Sequence, residues 1–233
     1  MTPMPPTPVP GQERTECIRC GECCLRSTPS LHVIDIHRVT NGPINRSHLY
    51  TLRQGELVRD NVRGELRKTE GELVKVREKG ESGACIFYHH PERRCTIYDS
   101  RPVQCAALRC WDDSAFMRVY AEPKASRKDL IQDGALLRLM EAHEERCAYA
   151  RLDRLVTSIP ERGDEAVEEI LGMLKFDHGI RLLAPQKLGI DPEEMDLIFG
   201  RPLSRTISMF GLKVIREPDG SFLLTPLGPS SPD

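Results

Sequence analysis

An α+β fold is expected for this chain of 233 residues. Three observations predict it. Eight of the nine cysteines fall within residues 17–111. Short apolar alternations, punctuated by Gly and Pro, run among them. From about residue 120 the sequence turns to a Leu-, Ala-, Glu- and Arg-rich pattern of helical period. The architecture implied is a small cysteine-cluster metal-binding core with short β-hairpins, followed by a mainly helical C-terminal half. Its expected limits are a Pro-rich disordered tail at 1–14, the cysteine-cluster domain at 15–118, a mainly helical region with a C-terminal hairpin at 119–226, and a disordered tail at 227–233.

The first residues, MTPMPPTPVPG, hold Pro3, Pro5, Pro6, Pro8 and Pro10 and read as an extended tail. Residues 41–80 contain no cysteine and look like an insertion between two cysteine groups. Gly64–Thr69 and Glu72–Glu78 mix charged and apolar residues. The alternation at Val74 and Val76, with glycines at 64, 71 and 80, suggests a short hairpin. Cys85–Tyr88 (CIFY) and Cys95–Tyr98 (CTIY) read as two strands joined by a turn at His89–Arg94, which contains Pro91. A helix is expected after Arg101-Pro102, with Asp99 or Ser100 as its cap. Cys105 then falls in its first turns, where the helix dipole favours a thiolate.

Lys128–Ile159 carries Leu130, Ile131, Leu137, Met140, Leu152, Leu155 and Val156 at helical spacing, with a break near Gly134. Asp164–Phe176 is a second helix candidate. Asp191-Pro192-Glu193-Glu194 is a helix start: a capping Asp, Pro at the first position, acids in the first turn. Lys213–Glu217 and Ser221–Thr225 flank Pro218-Asp219-Gly220 as a hairpin.

Composition narrows the function classes. The formal net charge is −2, with 29% charged residues and no concentrated basic face, so nothing marks a nucleic-acid binder. No apolar run approaches the ~20 residues of a membrane span, and the N-terminus lacks the basic start and apolar stretch of a secretory signal. A cytoplasmic location is expected. Clustered cysteines in a reducing compartment hold metal or do redox chemistry rather than form a disulfide framework.

The first cysteine group is Cys17-Ile18-Arg19-Cys20-Gly21-Glu22-Cys23-Cys24, and the second is Cys85, Cys95, Cys105 and Cys110. Two residues between thiols let one tight turn present both sulfurs to one ion. Gly21 sits where such a turn needs positive φ. Adjacent Cys23 and Cys24 are expected to diverge, one on the main site and the other on a second site or in packing. All eight are candidate metal ligands, whereas Cys147, alone in a helical pattern, is expected to pack. His89 and His90, in the loop between two candidate ligands, are read as solvated. Arg101 is read in three ways: it neutralises sulfur charge, clamps Asp99, or is a surface Arg ahead of a helix.

The CxxCGxCC run and the segment CIFYHHPERRCTIYDSRPVQCAALRC resemble the CxxCxxCC cysteine-cluster family (the YkgJ type), described as zinc- or iron-chelating. Cys95, Ile97, Tyr98, Arg101, Pro102 and Cys105 match its C-x-I-Y-x-x-R-P-x-x-C pattern position by position, and Cys85 and Cys110 match the flanking cysteines. The resemblance implies a metal site holding zinc or iron, the latter as an ion or as a [4Fe–4S] cluster. All-thiolate ligation suits these and argues against calcium or magnesium. The expected partners are the metal ion and a protein met through the C-terminal half. The alternatives are a metal-dependent enzyme, such as a protein lysine N-methylase (flagellin lysine N-methylases carry a similar cluster), or a redox sensor. No Gly-rich phosphate loop, G-x-S-x-G or H-E-x-x-H motif supports an enzyme.

Overall fold

The computed structural model describes Thr15, Cys17, residues 20–217 and residues 220–227. The expected tails, 1–14 and 227–233, lie outside these residues except for Leu227. Pro218 and Asp219 of the expected turn lie outside them as well.

In chain order the elements are α1 (Glu22–Arg26), α2 (Ile36–Thr40), β1 (Leu49–Leu52), β2 (Leu57–Asp60), β3 (Glu65–Lys68), β4 (Leu73–Val76), β5 (Tyr88–His89), β6 (Arg94–Cys95), α3 (Val103–Ala107) and α4 (Ser114–Ala121). There follow α5 (Arg127–Leu130), α6 (Gly134–Cys147), α7 (Tyr149–Arg162), α8 (Asp164–Leu188), α9 (Met195–Ile198), α10 (Leu203–Thr206), β7 (Leu212–Arg216) and β8 (Phe222–Pro226). The fold is α+β, with small antiparallel strand pairs and a helical C-terminal half. By internal contact the chain divides into two units, Met1–Asn45 with Lys75–Ala125, and Arg46–Val74 with Ser126–Asp233.

The first unit is strung on residues 28–33. On one side Val76 N–H donates to the Pro29 carbonyl (3.0 Å), and Ser30 bridges Lys75. On the other, Ala125 N–H donates to Leu31 O (2.9 Å), and Val33 N–H donates to Pro123 O (3.2 Å). Leu31, Val76 and Ala125 are buried beneath this spine. Fully burying a Leu or Val side chain contributes about 1.5–3 kcal/mol, so three short segments with few hydrogen bonds of their own still hold together.

The strands β5 and β6 pair through Tyr88↔Cys95 and His89↔Arg94. Only the inner end of the expected CIFY/CTIY pair is strand, because a turn follows each cysteine. The helix α3 starts after Pro102, as expected, but its cap is not Asp99 or Ser100. Those residues form a 3-10 turn. The cap is Asp35, whose Oδ1 accepts from Val103 N–H (2.9 Å). A carboxylate distant in sequence supplies what local spacing suggested would be local.

In the second unit, β2 and β3 form a hairpin around Gly64, with Leu57 opposite Lys68 and Asp60 opposite Glu65. A short hairpin is thus present in the cysteine-free stretch, built from 57–60 and 65–68, while the strand that holds Val74 and Val76, β4, pairs with β1. Register followed the tight turn at Gly64 (φ 74°) rather than the weaker punctuation at Gly71.

The helical pattern of 128–159 resolves into α5, α6 and α7. Ile131 is extended, and Asp133 caps α6 through Leu136 N–H (2.8 Å). The helix α8 runs past the expected Phe176 to Leu188, where Gly189 (φ 64°) closes it. The Asp191 start is as expected, its side chain accepting from Glu193 N–H (2.9 Å). The hairpin of β7 and β8 is present, with Val214 opposite Leu224.

Two apolar clusters hold this unit. One joins Cys147, Tyr149, Leu152 and Leu155 to Ile170, Met173, Leu174, Leu203 and Ile207. The other gathers Ile131, Leu136, Met140, Ala184, Met195, Ile198 and Phe199. A buried polar pair lies among these helices: His143 Nε2 stands 2.8 Å from Asp177 Oδ1. The Asp177 carboxylate also accepts from Arg181 Nε (3.0 Å) and from Leu203 N–H (2.9 Å). Cys147 is fully buried, so packing is its role here.

Among the described residues no helix is long and apolar enough to cross a membrane.

Candidate metal centre

The candidate centre lies in the first unit and is built from three segments. The first is the turn into α1. Gly21 adopts φ 84°, as expected for a tight turn after Cys20. The turn is tied from outside: Arg93 Nη2 donates to the Cys20 carbonyl (3.2 Å). Arg93 is itself left-handed (φ 49°), the one described non-glycine residue with positive φ. Its place in the β5–β6 turn requires that conformation.

The second segment is the hairpin. Cys85 N–H donates to the Cys24 carbonyl (2.7 Å), which joins the two cysteine groups directly through the backbone. Cys85 and Cys95 then repeat one local arrangement. The Phe87 N–H donates to the Cys85 thiol, and the Ile97 N–H to the Cys95 thiol. Each cysteine thus heads a turn whose backbone amide, two residues on, points back at sulfur. Such donors favour thiolate and serve metal-bound sulfur well. The pattern C-x-apolar-Tyr, present at 85–88 and again at 95–98, was the sequence signal for it.

The third segment is α3, which carries Cys105. Besides the Asp35 cap, Gln104 Oε1 accepts from Ser30 N–H (2.9 Å), and Gln104 Nε2 lies 3.0 Å from His32 Nε2. Asp35 Oδ2 in turn accepts from His32 N–H (3.0 Å). Asp35, Gln104 and His32 are all buried. They position Cys105 without touching it. Sequence spacing gave no sign of the pairing, because Asp35 and Val103 belong to distant segments.

Cys23, Cys24, Cys85, Cys95 and Cys105 lie near enough for charge on one to be felt at others of the set. The Cys23 and Cys24 sulfurs, expected to diverge, lie 3.9 Å apart. A hydrogen bond with Cys24 brings Cys23 down to about 6. The same hydrogen bond raises Cys24, which burial and the neighbouring Cys23, Cys85 and Cys105 raise further. Burial pushes Cys85 up to about 11, and Cys95 adds to this. Cys95 is raised by burial and by Cys23. Cys105 is raised by burial and then by Cys85, Cys23 and Cys95. At Cys105, in a helix of only five residues, burial is the dominant influence.

Cys17 and Cys110 are exposed, Cys20 is half-buried, and α3 ends at Ala107, before Cys110. Among the described residues, no three His, Cys, Asp or Glu side chains stand in ligating geometry. His89 Nδ1 faces Glu92 Oε2 at 3.5 Å, and His90 packs edge-on to Tyr88. Arg101 lies with its guanidinium over the Tyr98 ring, 3.6 Å from the centroid.

The donor set is soft sulfur, which fits zinc, iron or an iron–sulfur cluster and does not fit a hard, oxygen-seeking cation. Bound there, a metal ion would supply positive charge among the thiolates and covalent ties between three chain segments.

A comparison with protein families finds that the CxxCxxCC model, described as "Putative zinc- or iron-chelating domain", matches residues 16–148. That span is more than half of the chain. No curated protein and no solved structure matches it.

Proposed function

The chain belongs to the CxxCxxCC family, and from that premise we propose that it is a metal-binding module whose ligands are drawn from Cys17, Cys20, Cys23, Cys24, Cys85, Cys95, Cys105 and Cys110. Cys23, Cys24, Cys85, Cys95 and Cys105 form the core of the set. The observation that carries this reading is the matched pair of turns at Cys85 and Cys95. Each points a backbone N–H at its own sulfur, beside the thiols of Cys23 and Cys105. A merely packed cysteine has no need of such a donor.

The metal is zinc or iron, the latter as an ion or a cluster. Binding joins segments separated by the Cys24–Cys85 interval, so much of the metal's binding free energy becomes folding free energy of the first unit. A reducing, cytoplasmic setting fits clustered cysteines that hold metal rather than form disulfides.

The test is elemental analysis with an absorption spectrum on protein purified without oxygen. A colourless sample with stoichiometric zinc supports a structural or chelating module. A brown sample with iron and acid-labile sulfide supports an iron–sulfur protein. A chain that carries no metal and takes up neither zinc nor iron on titration overturns the proposal. Cys20→Ser and Cys95→Ser should lose metal and melt earlier. If both keep the full complement, the ligand assignment is wrong.

A further inference from the structure

Arg101 is half-buried, yet its Nε is shut off from solvent and has no hydrogen-bond partner among the described residues. A buried guanidinium N–H left unpaired is costly, the more so on a charged group, so its place in the structure calls for a reason.

Three contacts fix that place. The guanidinium stacks on Tyr98, 3.6 Å from the ring centroid. The Arg101 carbonyl accepts from Arg38 Nε (2.8 Å). Pro102 follows, and the next residue, Val103, is held by Asp35. The side chain is therefore pinned at the root of α3, between Cys95 and Cys105 in the chain. Its charge acts on Cys23, Cys95 and Cys105 in the direction that favours their thiolates, against the burial that dominates at Cys95 and Cys105. Asp99, the alternative partner read from sequence, is exposed.

We propose that Arg101 is the counter-cation of the thiolate centre, offsetting the negative charge that metal-bound thiolates retain and donating its buried Nε–H to one of the sulfurs of Cys23, Cys95 or Cys105. This rests on the metal-binding reading above. Four thiolates around a divalent ion, or around an oxidised four-iron cluster, keep a net negative charge, and in a partly buried site that charge needs a nearby cation. A guanidinium suits this role, because it stays protonated, is weakly hydrated, and offers donors in a fixed plane. Stacking on Tyr98 holds the plane while leaving its edge free to donate. Arg101 is in this sense a positioning residue, not a ligand.

The experiment is a zinc titration in competition with a chromophoric chelator, on the wild-type chain, Arg101→Lys and Arg101→Gln, with thermal melts of the metal-free forms. The expected result is zinc affinity about 10- to 100-fold weaker in Arg101→Gln, the usual effect of removing an outer-shell partner. Arg101→Lys, which keeps the charge, should recover most of the loss. Arg101→Gln binding zinc as tightly as wild type overturns the proposal.

Should Arg101→Gln fail to fold, the wild-type chain decides the matter. In ¹⁵N-labelled protein the Arg101 Nε–H resonance should move on zinc loading, and an unchanged resonance with zinc bound overturns the proposal. A wild-type chain that binds no zinc or iron at all fails the metal-binding reading itself, and this inference with it.

Discussion

Tyr88 closes over Gly21. A β-carbon placed on Gly21 would lie 2.2 Å from the Tyr88 hydroxyl oxygen and 2.6 Å from the ring carbon Cζ that bears it. The glycine serves two needs at once, a left-handed turn (φ 84°) and room for the ring. Through this contact the first cysteine group is packed against the hairpin that pairs Tyr88 with Cys95.

Gly21→Ala should therefore cost about 2–3 kcal/mol, overpacking and backbone strain combined. The measurement is a denaturant midpoint on the metal-free chain. A double-mutant cycle with Tyr88→Ala should show coupling between the two positions, because removing the ring removes the clash but not the positive φ. Additive effects would mean that the ring does not constrain the turn.

Asp35 caps α3 from afar and holds the His32 backbone with its other oxygen. Asp35→Ala strands the buried His32 N–H and the half-buried Val103 N–H and should destabilise by about 2 kcal/mol or more. Because α3 carries Cys105, zinc affinity should fall as well. A stable Asp35→Ala chain with unchanged affinity would separate the cap from the metal centre.

Cys147 is the internal control for the cysteine assignment. It is fully buried in an apolar cluster, and burial pushes its thiol up to about 12. Cys147→Ala should leave metal stoichiometry at the wild-type value while lowering stability by about 1–2 kcal/mol. Loss of metal in this variant would move Cys147 among the ligands.

The His143–Asp177 pair predicts an acid-sensitive second unit. Burial lowers the His143 pKa despite the hydrogen bond to Asp177. Burial works against Asp177 ionising, but the hydrogen bond with His143 and the charge of Arg181 hold its carboxyl below the ordinary value. Both folded-state values lie below the unfolded ones, so the unfolded chain binds more protons and stability falls with acid. For His143 the stability is complete above about pH 6.5 and declines as pH falls below it. For Asp177 the decline begins below about pH 4 and continues through the folded value. Urea midpoints between pH 7.5 and 5.5 should fall, and His143→Gln should flatten that segment. A midpoint independent of pH across this interval would count against a neutral buried His143.

Much of the chain could be read in advance. The metal-binding character followed from thiol chemistry and spacing, since no other residue type accumulates sulfur in this way. The turn at Gly21, the helix start at Asp191 and the β7–β8 hairpin are local, each set by one or two residues whose φ or capping groups leave few alternatives. Cys147 could be told from the other cysteines because a lone thiol on a helical face has packing as its default.

Other features depend on distant partners, and only the tertiary structure decided them. The pairing of β4 with β1 joins segments that a whole hairpin separates in sequence, so no local turn records it. The cap of α3 came from Asp35 because folding brings a buried carboxylate to the open end of a helix, a coincidence of position that no local pattern records. Cys23 and Cys24 came to face the same thiols because one positive-φ residue re-aimed the chain ahead of α1. Arg101 found its place in the same way. Its residue type was visible in the motif, but the ring beneath it and the unpaired Nε–H exist only once the segments have converged.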